Sequence, residues 1–207
     1  MDSSELIFKY FKKLNEDQIK KFKQLEKIFK FWNKRVNLIS RKDIDNFYLN
    51  HVLHSLSIDK LSIINDNHKA IMDLGTGGGF PGIPLAILYP NNTFYLIDSK
   101  FKKIKIIKEI IEELNINNAI TINKRVEDED KKIDYVVCRA FGRLSKIFDY
   151  SKKNIIKKSN NGLICFKGGD LNEELRELNK KHISYQLKNY FEESFFESKK
   201  IIYIPMH

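Results

Sequence analysis

The chemistry of this chain gathers in the stretch Asp73-Leu-Gly-Thr-Gly-Gly-Gly-Phe-Pro-Gly-Ile-Pro84, where Gly75, Gly77, Gly78, Gly79 and Gly82 follow a short apolar run over residues 70–74. The run reads as a buried parallel strand. Neither a strand nor a helix accommodates so dense a set of glycines, but a loop that brings backbone N–H groups close to a ligand does. Pro84 suits the first turn of a following helix. Strand, glycine loop and helix make the first half of a nucleotide-type site in a doubly wound sheet.

The register of the glycines separates two ligand classes. Gly77, Gly79 and Gly82 satisfy the dinucleotide fingerprint Gly-x-Gly-x-x-Gly, yet that register begins after the strand has ended. Read from Asp73, the pattern is Asp-x-Gly-x-Gly-x-Gly, with a carboxylate closing the strand. Facing a pyrophosphate, that carboxylate would meet like charge, which is unfavourable in a partly dry site. It would favour S-adenosylmethionine, whose sulfonium and amino group are cations. Asp98 closes the next apolar run, residues 93–97, near the ~20-residue offset expected of an acid that binds ribose hydroxyls. The pair Asp73 and Asp98 therefore predicts a methyl-donor site.

These residues need a sheet to hold them. From residue 70 onward apolar runs and helical patterns alternate, the signature of an α/β fold. Further strands are expected at 119–122, 133–138 and 163–167, and two closing strands at 185–191 and 200–204 make the sheet mixed. Helices are expected at 100–114, 144–157 and 170–179, the first with Phe101, Ile104, Ile107, Ile111 and Leu114 facing the sheet. Ahead of the sheet, Asn15-Glu-Asp-Gln18 reads as a capping box, followed by Ile19, Phe22, Leu25, Ile28, Phe29 and Trp32 on one helical face, a packing stripe. A shorter helix over 6–14 precedes it. Ser40-x-x-Asp43 caps a further helix to about residue 58, which carries His51 and His54 three apart. With no Cys or acid cluster to complete a ligand set, these histidines read as structural or substrate-facing, and no metal is expected.

The 207 residues, 42% hydrophobic and 31% charged, describe one soluble globular unit. Residues 1–60 are read as a helical extension packed on a core of residues 61–207. No membrane span or signal peptide is evident, and Cys138 and Cys165 fall in buried strands, consistent with a reducing cytoplasm. The net charge of +10 suggests a polyanionic partner such as RNA, although the abundance of Ile, Asn and Lys also fits AT-rich codon usage.

In an open α/β sheet the ligand lies beyond the carboxyl ends of the strands. Those ends carry Asp73 and the glycines, Asp98, Val126-Glu127, Arg139 and Lys167-Gly168-Gly169. Each has a plainer reading: Asp98 as a helix cap, Glu127 as a partner of Arg125 or Lys124, Arg139 as a salt-bridge residue and Lys167 as a solvated strand end. Their convergence on one rim points to a site.

At this point the chain resembles the bacterial 16S ribosomal RNA guanine-N7 methyltransferase family RsmG, also called GidB. The resemblance rests on Asn37-Leu-Ile-Ser40, the pair His51 and Ser55, the stretch from Asp73 to Pro84, Leu96-Ile-Asp-Ser99, Arg125-Val-Glu127, Arg139-Ala-Phe141 and Lys167-Gly168. It implies a Rossmann-like class I methyltransferase with a mixed seven-stranded sheet, helices on both faces and a small helical N-terminal extension. It further implies that Asp73, Gly75, Gly77, Phe80, Asp98, Val126, Glu127 and Arg139 bind S-adenosylmethionine, with Val126 and Glu127 beside the adenine. Arg139 would lie where cofactor and target base meet, and His51, Ser55 and Lys167 would face the RNA. The family usually has an acid where this chain has His54. The implied substrate is 16S ribosomal RNA or the small subunit, met by a cytoplasmic monomer. Other methyl acceptors, a non-catalytic RNA-binding role and, more distantly, nicotinamide chemistry are the competing functions.

Overall fold

The structure, a computed structural model, describes residues 3–40, 43–64 and 66–206. Helices α1 (Glu5–Tyr10) and α2 (Glu16–Asn33) open the chain. The capping box forms as expected: Asn15 Oδ1 accepts from Gln18 N at 2.9 Å and Gln18 Oε1 accepts from Asn15 N at 3.0 Å. Gln18 also donates its side-chain amide to the carbonyls of Ile87 and Leu88, fastening the start of α2 to the core. Phe22, Leu25, Ile28 and Phe29 are buried, so the stripe is a packing face.

The single helix expected up to residue 58 is instead a composite. A 3-10 turn, Ile44–Asn46, leads into a π-helical stretch, Tyr48–Leu53, then the α-helical turn α3 (His54–Leu56) and a second 3-10 turn, Ser57–Leu61. Widened helical turns of this kind free backbone carbonyls and concentrate at functional sites. Here the carbonyl of Asn50 accepts from Arg139 Nη1 at 3.0 Å.

Beyond it lie β1 (Ala70–Leu74), α4 (Gly82–Leu88), β2 (Thr93–Asp98), α5 (Phe101–Glu113), β3 (Ala119–Asn123), β4 (Tyr135–Arg139), α6 (Leu144–Ser151), β5 (Gly162–Gly168), α7 (Asn172–Leu178), β6 (Ile183–Gln186) and β7 (Lys199–Pro205). The strands form one seven-stranded sheet in the order β3-β2-β1-β4-β5-β7-β6. β1 to β5 pair in parallel, and β7 runs antiparallel between β5 and β6. Successive residues of β1 alternate between two cores: Ile71 packs with α2, α4 and α5, whereas Met72 and Leu74 pack with α6 and α7. The period of two thus places helices on both faces.

Further expectations on elements change. The penultimate strand occupies only Ile183–Gln186, because Leu187, Phe191 and Phe196 turn inward together, Phe191 and Phe196 stacking at 4.3 Å. Helix α6 stops at Ser151, where the Asn154 side chain bonds the carbonyls of Glu129 and Lys131 and fixes the chain for the bridge between Ile133 and Ile155. Phe101 does not face the sheet: it begins α5 and is 65% exposed, while Ile106 and Ile110 join Ile104, Ile107 and Ile111 in the core.

Candidate active site

A cavity of about 490 Å³ opens at the carboxyl ends of β1, β2 and β4, within the ~300–1,000 Å³ typical of small-molecule sites. Gly75, Gly77, Phe80, Asp98, Val126, Glu127, Arg139 and His51 all line it. Eight of the residues singled out in the sequence therefore meet around one space.

Asp73 is placed differently from the expectation. It is fully buried beneath the loop and does not line the cavity. Its Oδ2 accepts from Thr76 Oγ1 at 2.5 Å and from Gly82 N at 2.8 Å, so the carboxylate ties the start of the loop to the start of α4. A Cβ at Gly82 would sit 2.7 Å from that oxygen, which is why the chain approaches so closely there. Burial raises the Asp73 pKa to about 6, opposed by the hydrogen bonds from Thr76 and Gly82. Asp73 shapes the loop from beneath the cavity through Oδ2.

Asp98 takes up the local bracing role that the sequence allowed and also holds the glycine loop. Oδ1 accepts from Lys100 N at 2.8 Å, bracing the entry to α5, and Oδ2 accepts from Gly77 N at 3.0 Å, drawing the glycine loop to the end of β2. Each carboxylate oxygen keeps a second lone pair for a hydroxyl. Gly75, at φ +67°, lies so close to Phe141 that a Cβ would overlap the ring. Ile97 and Val126 give the far wall an apolar surface, with Glu127 exposed at its edge. Lys124 pairs with Glu129 at 3.6 Å and not with Glu127.

Arg139 projects from the end of β4 toward the composite helix. Nη1 donates to Asn50 O at 3.0 Å, Nη2 lies 2.8 Å from His51 Nδ1, and the guanidinium sits 5.2 Å from the Phe80 ring centre. No carboxylate forms an ion pair with it among the described residues. Burial lowers its pKa to about 10, while Asp73 and then Asp43 act in the opposite direction. His51 is held neutral, its pKa lowered to about 4 by burial and by the Arg139 charge.

Ser55 and Lys167 are not brought to the cavity. Ser55 is fully buried and donates to His51 O at 2.6 Å, locking the helix turn. Lys167 Nζ is engaged by Gly142 O at 2.5 Å and Glu174 Oε2 at 2.7 Å, and so secures the loop after β4 to α7. In both cases acceptors of the chain itself engage the side chain expected to face substrate. His54 is buried among Phe166, Phe195 and Phe196, away from the cavity. Among the described residues no cluster of three or more His, Cys, Asp or Glu is placed to hold a metal ion.

Sequence reasoning gave no role to Thr76 or to Leu38, Ile39, Lys146 and Tyr150, all in the cavity wall. Leu38 and Ile39 arrive because the Asn33 side chain accepts both their N–H groups, at 2.8 and 3.0 Å, turning the chain inward after α2. The signal for these two was the stretch Asn37-Leu-Ile-Ser40, which carries part of the family resemblance.

The residues present fit S-adenosylmethionine. The glycine loop leaves space without side chains, Asp98 offers acceptors for ribose, and Ile97 and Val126 offer an apolar surface for adenine. Bound there, the cofactor would supply an electrophilic methyl carbon on a sulfonium.

Fold and site together define a class I S-adenosylmethionine-dependent methyltransferase. Among solved structures, the chain superposes on a SAM-dependent methyltransferase from Aquifex aeolicus with TM-score 0.58 at 13% identity, covering 78% of this chain and 93% of that one. An rRNA methylase from Streptococcus thermophilus gives TM-score 0.54 at 13% identity, with 77% and 99% covered. At such identities these likenesses concern the fold alone. The model of the family GidB, rRNA small subunit methyltransferase G, matches residues 18–202. The chain is 46% identical over 206 residues to the ribosomal RNA small subunit methyltransferase G of Christiangramia forsetii, covering 98% of this chain and 97% of the relative. It is 45% identical over 203 residues to that of Bacteroides thetaiotaomicron, with 96% and 98% covered. The chain belongs to the rRNA small subunit methyltransferase G family.

Proposed function

We propose that this protein transfers the methyl group of S-adenosylmethionine to N7 of one guanine in 16S ribosomal RNA, acting on the RNA or the small subunit as a cytoplasmic monomer. The observation that carries this reading is the placement of Arg139 at the cavity wall, held by two neutral acceptors and free of any ion pair among the described residues. A guanidinium so held can present its remaining donors to guanine O6 or to a phosphate. Membership of the family supports the choice of ribosomal RNA. No helix among the described residues is long and apolar enough to cross a membrane.

Guanine N7 carries an available lone pair, so the chain need not remove a proton. Its contribution is to hold N7 in line with the methyl carbon at near-attack distance and to keep competing water out. His51 is in keeping with that economy: with Nδ1 turned to Arg139 it orients the guanidinium and does not act as a base. The test is transfer of labelled methyl from S-adenosylmethionine to small ribosomal subunits from a strain lacking the modification. Incorporation into the 16S RNA supports the reading. Binding of S-adenosylmethionine without such incorporation redirects it to another acceptor.

A further inference from the structure

We propose that the groove between the C-terminal end of α2 and the first turn of α5 is where RNA flanking the target base docks, with Trp32 and Phe101 as stacking surfaces. This rests on the reading of the methyl acceptor as ribosomal RNA. Trp32, Phe101, Lys102 and Lys105 line the groove together. Phe101 is 65% exposed at the head of α5, and Phe31 is 49% exposed beside Trp32, its ring 5.3 Å away edge to face. The Arg35 guanidinium lies 3.8 Å from the Phe31 ring centre and donates to Phe31 O, so a flat cation is already fixed beside the aromatic pair.

The charges divide along the helices. Farther from the cavity, Lys108 pairs with Glu112 at 3.7 Å and Lys30 with Glu26 at 2.8 Å. Lys102 and Lys105 in the groove and Arg35 beside it form no ion pair among the described residues; the carboxylates there are Glu109 in the lining and Glu113, which accepts from Trp32 Nε1 at 3.4 Å. Exposed rings beside unpaired cations match bases and phosphates, since every base has a face to stack and every phosphate a charge to neutralise. The groove is linked along the chain to the active-site cavity. Val36 in the groove precedes Leu38 and Ile39 in the cavity wall, and Phe101 and Lys102 in the groove stand between Ser99 and Lys103 in that wall. A strand delivering a base to Arg139 would lay its neighbouring nucleotides here.

The experiment measures methyl transfer to unmodified small subunits and direct binding to naked 16S RNA by the wild type, Phe101→Ala, the double variant Lys102→Ala/Lys105→Ala, and Lys108→Ala as control. The melting temperature and S-adenosylmethionine affinity should stay at wild-type values, because these side chains are exposed and outside the cavity wall. Phe101→Ala should raise KM and the RNA Kd by about fivefold or more, the low end of what stacking one base contributes. The double lysine variant should reduce the slope of log K against log salt by about two, one for each phosphate left without its lysine. In all variants kcat at saturating subunit should remain near wild type, and Lys108→Ala should match wild type throughout. Wild-type KM and RNA Kd in both groove variants, with the wild type active on subunits, would overturn the docking surface alone. A raised KM on subunits with unchanged binding to naked RNA would mean a protein contact and would also overturn it. No transfer by the wild type to subunits would remove the RNA reading itself, and the surface with it.

Discussion

Arg139 and His51 meet at 2.8 Å, Nη2 to Nδ1, across the seam between the end of β4 and the π-helical stretch. Because arginine can only donate, Nδ1 must accept, and the imidazole proton resides on Nε2. The relationship makes His51 a positioning residue: it aims a guanidinium that also donates to Asn50 O at 3.0 Å. A lysine in place of Arg139 would keep the charge and lose the fork that reaches both acceptors. Arg139→Lys should therefore lower kcat/KM by about tenfold or more, equivalent to ~1.4 kcal/mol of transition-state stabilisation. His51→Ala should lower kcat with little change in S-adenosylmethionine affinity. Steady-state kinetics beside a cofactor titration separates these outcomes, and a Lys variant of wild-type activity would show that charge alone suffices.

The two buried titrating groups of the site pull stability in opposite directions with pH. His51 has its folded pKa lowered to about 4. It contributes stability that is complete above its unfolded value near 6.5 and is lost as pH falls toward 4. Its NMR signals should consequently not titrate between about pH 5.5 and 8. Asp73, with its folded pKa raised to about 6, contributes stability that is complete below its unfolded value near 3.8 and is lost as pH rises through 6. Asp73→Asn removes that titration. The stability of the variant relative to wild type should rise between pH 4 and 7, by at most on the order of 3 kcal/mol. Urea unfolding of both proteins across that range measures the gap, and a gap independent of pH would show that Asp73 titrates normally.

Gly75 combines a left-handed backbone, φ +67°, with the Phe141 ring standing where a Cβ would need to go. Gly75→Ala should destabilise the fold by about 1–3 kcal/mol and weaken S-adenosylmethionine binding by about tenfold or more, since the loop must shift to admit the methyl group. Adding Phe141→Ala should recover the part due to the clash and leave the part due to φ. Thermal unfolding and calorimetric titration of the single and double variants distinguish the two contributions.

What can be read in the sequence is set by local patterns. Alternating apolar runs mark the parallel strands, and glycines too dense for any regular element mark the loop; Asn15 with Gln18 marks the start of α2. The rim residues Asp98, Val126, Glu127 and Arg139 follow because strand ends share one edge of the sheet. The departures all depend on partners that no local pattern reveals. By sequence Asp73 faces a cationic ligand, but its orientation follows from Thr76 and Gly82, which capture it under the loop. By sequence Lys167 reaches for RNA, but Glu174 and the Gly142 carbonyl hold it. The π-helical widening that frees Asn50 O leaves no mark in hydrophobic spacing. Phe101 falls on the apolar side of its helix by periodicity, yet α5 begins there, at the rim, where no sheet remains to cover it.

The most direct measurement is the position and chemistry of the methyl group itself. Small subunits lacking the modification are incubated with the protein and labelled S-adenosylmethionine, and the 16S RNA is then reduced and treated with aniline, which cleaves the chain at N7-methylguanosine. The expected result is label confined to one guanine and scission at that nucleotide, both abolished when Asp98→Ala removes the carboxylate that lines the cavity and holds the glycine loop. Label at a position that resists aniline cleavage, or spread over many nucleotides, would contradict guanine-N7 transfer.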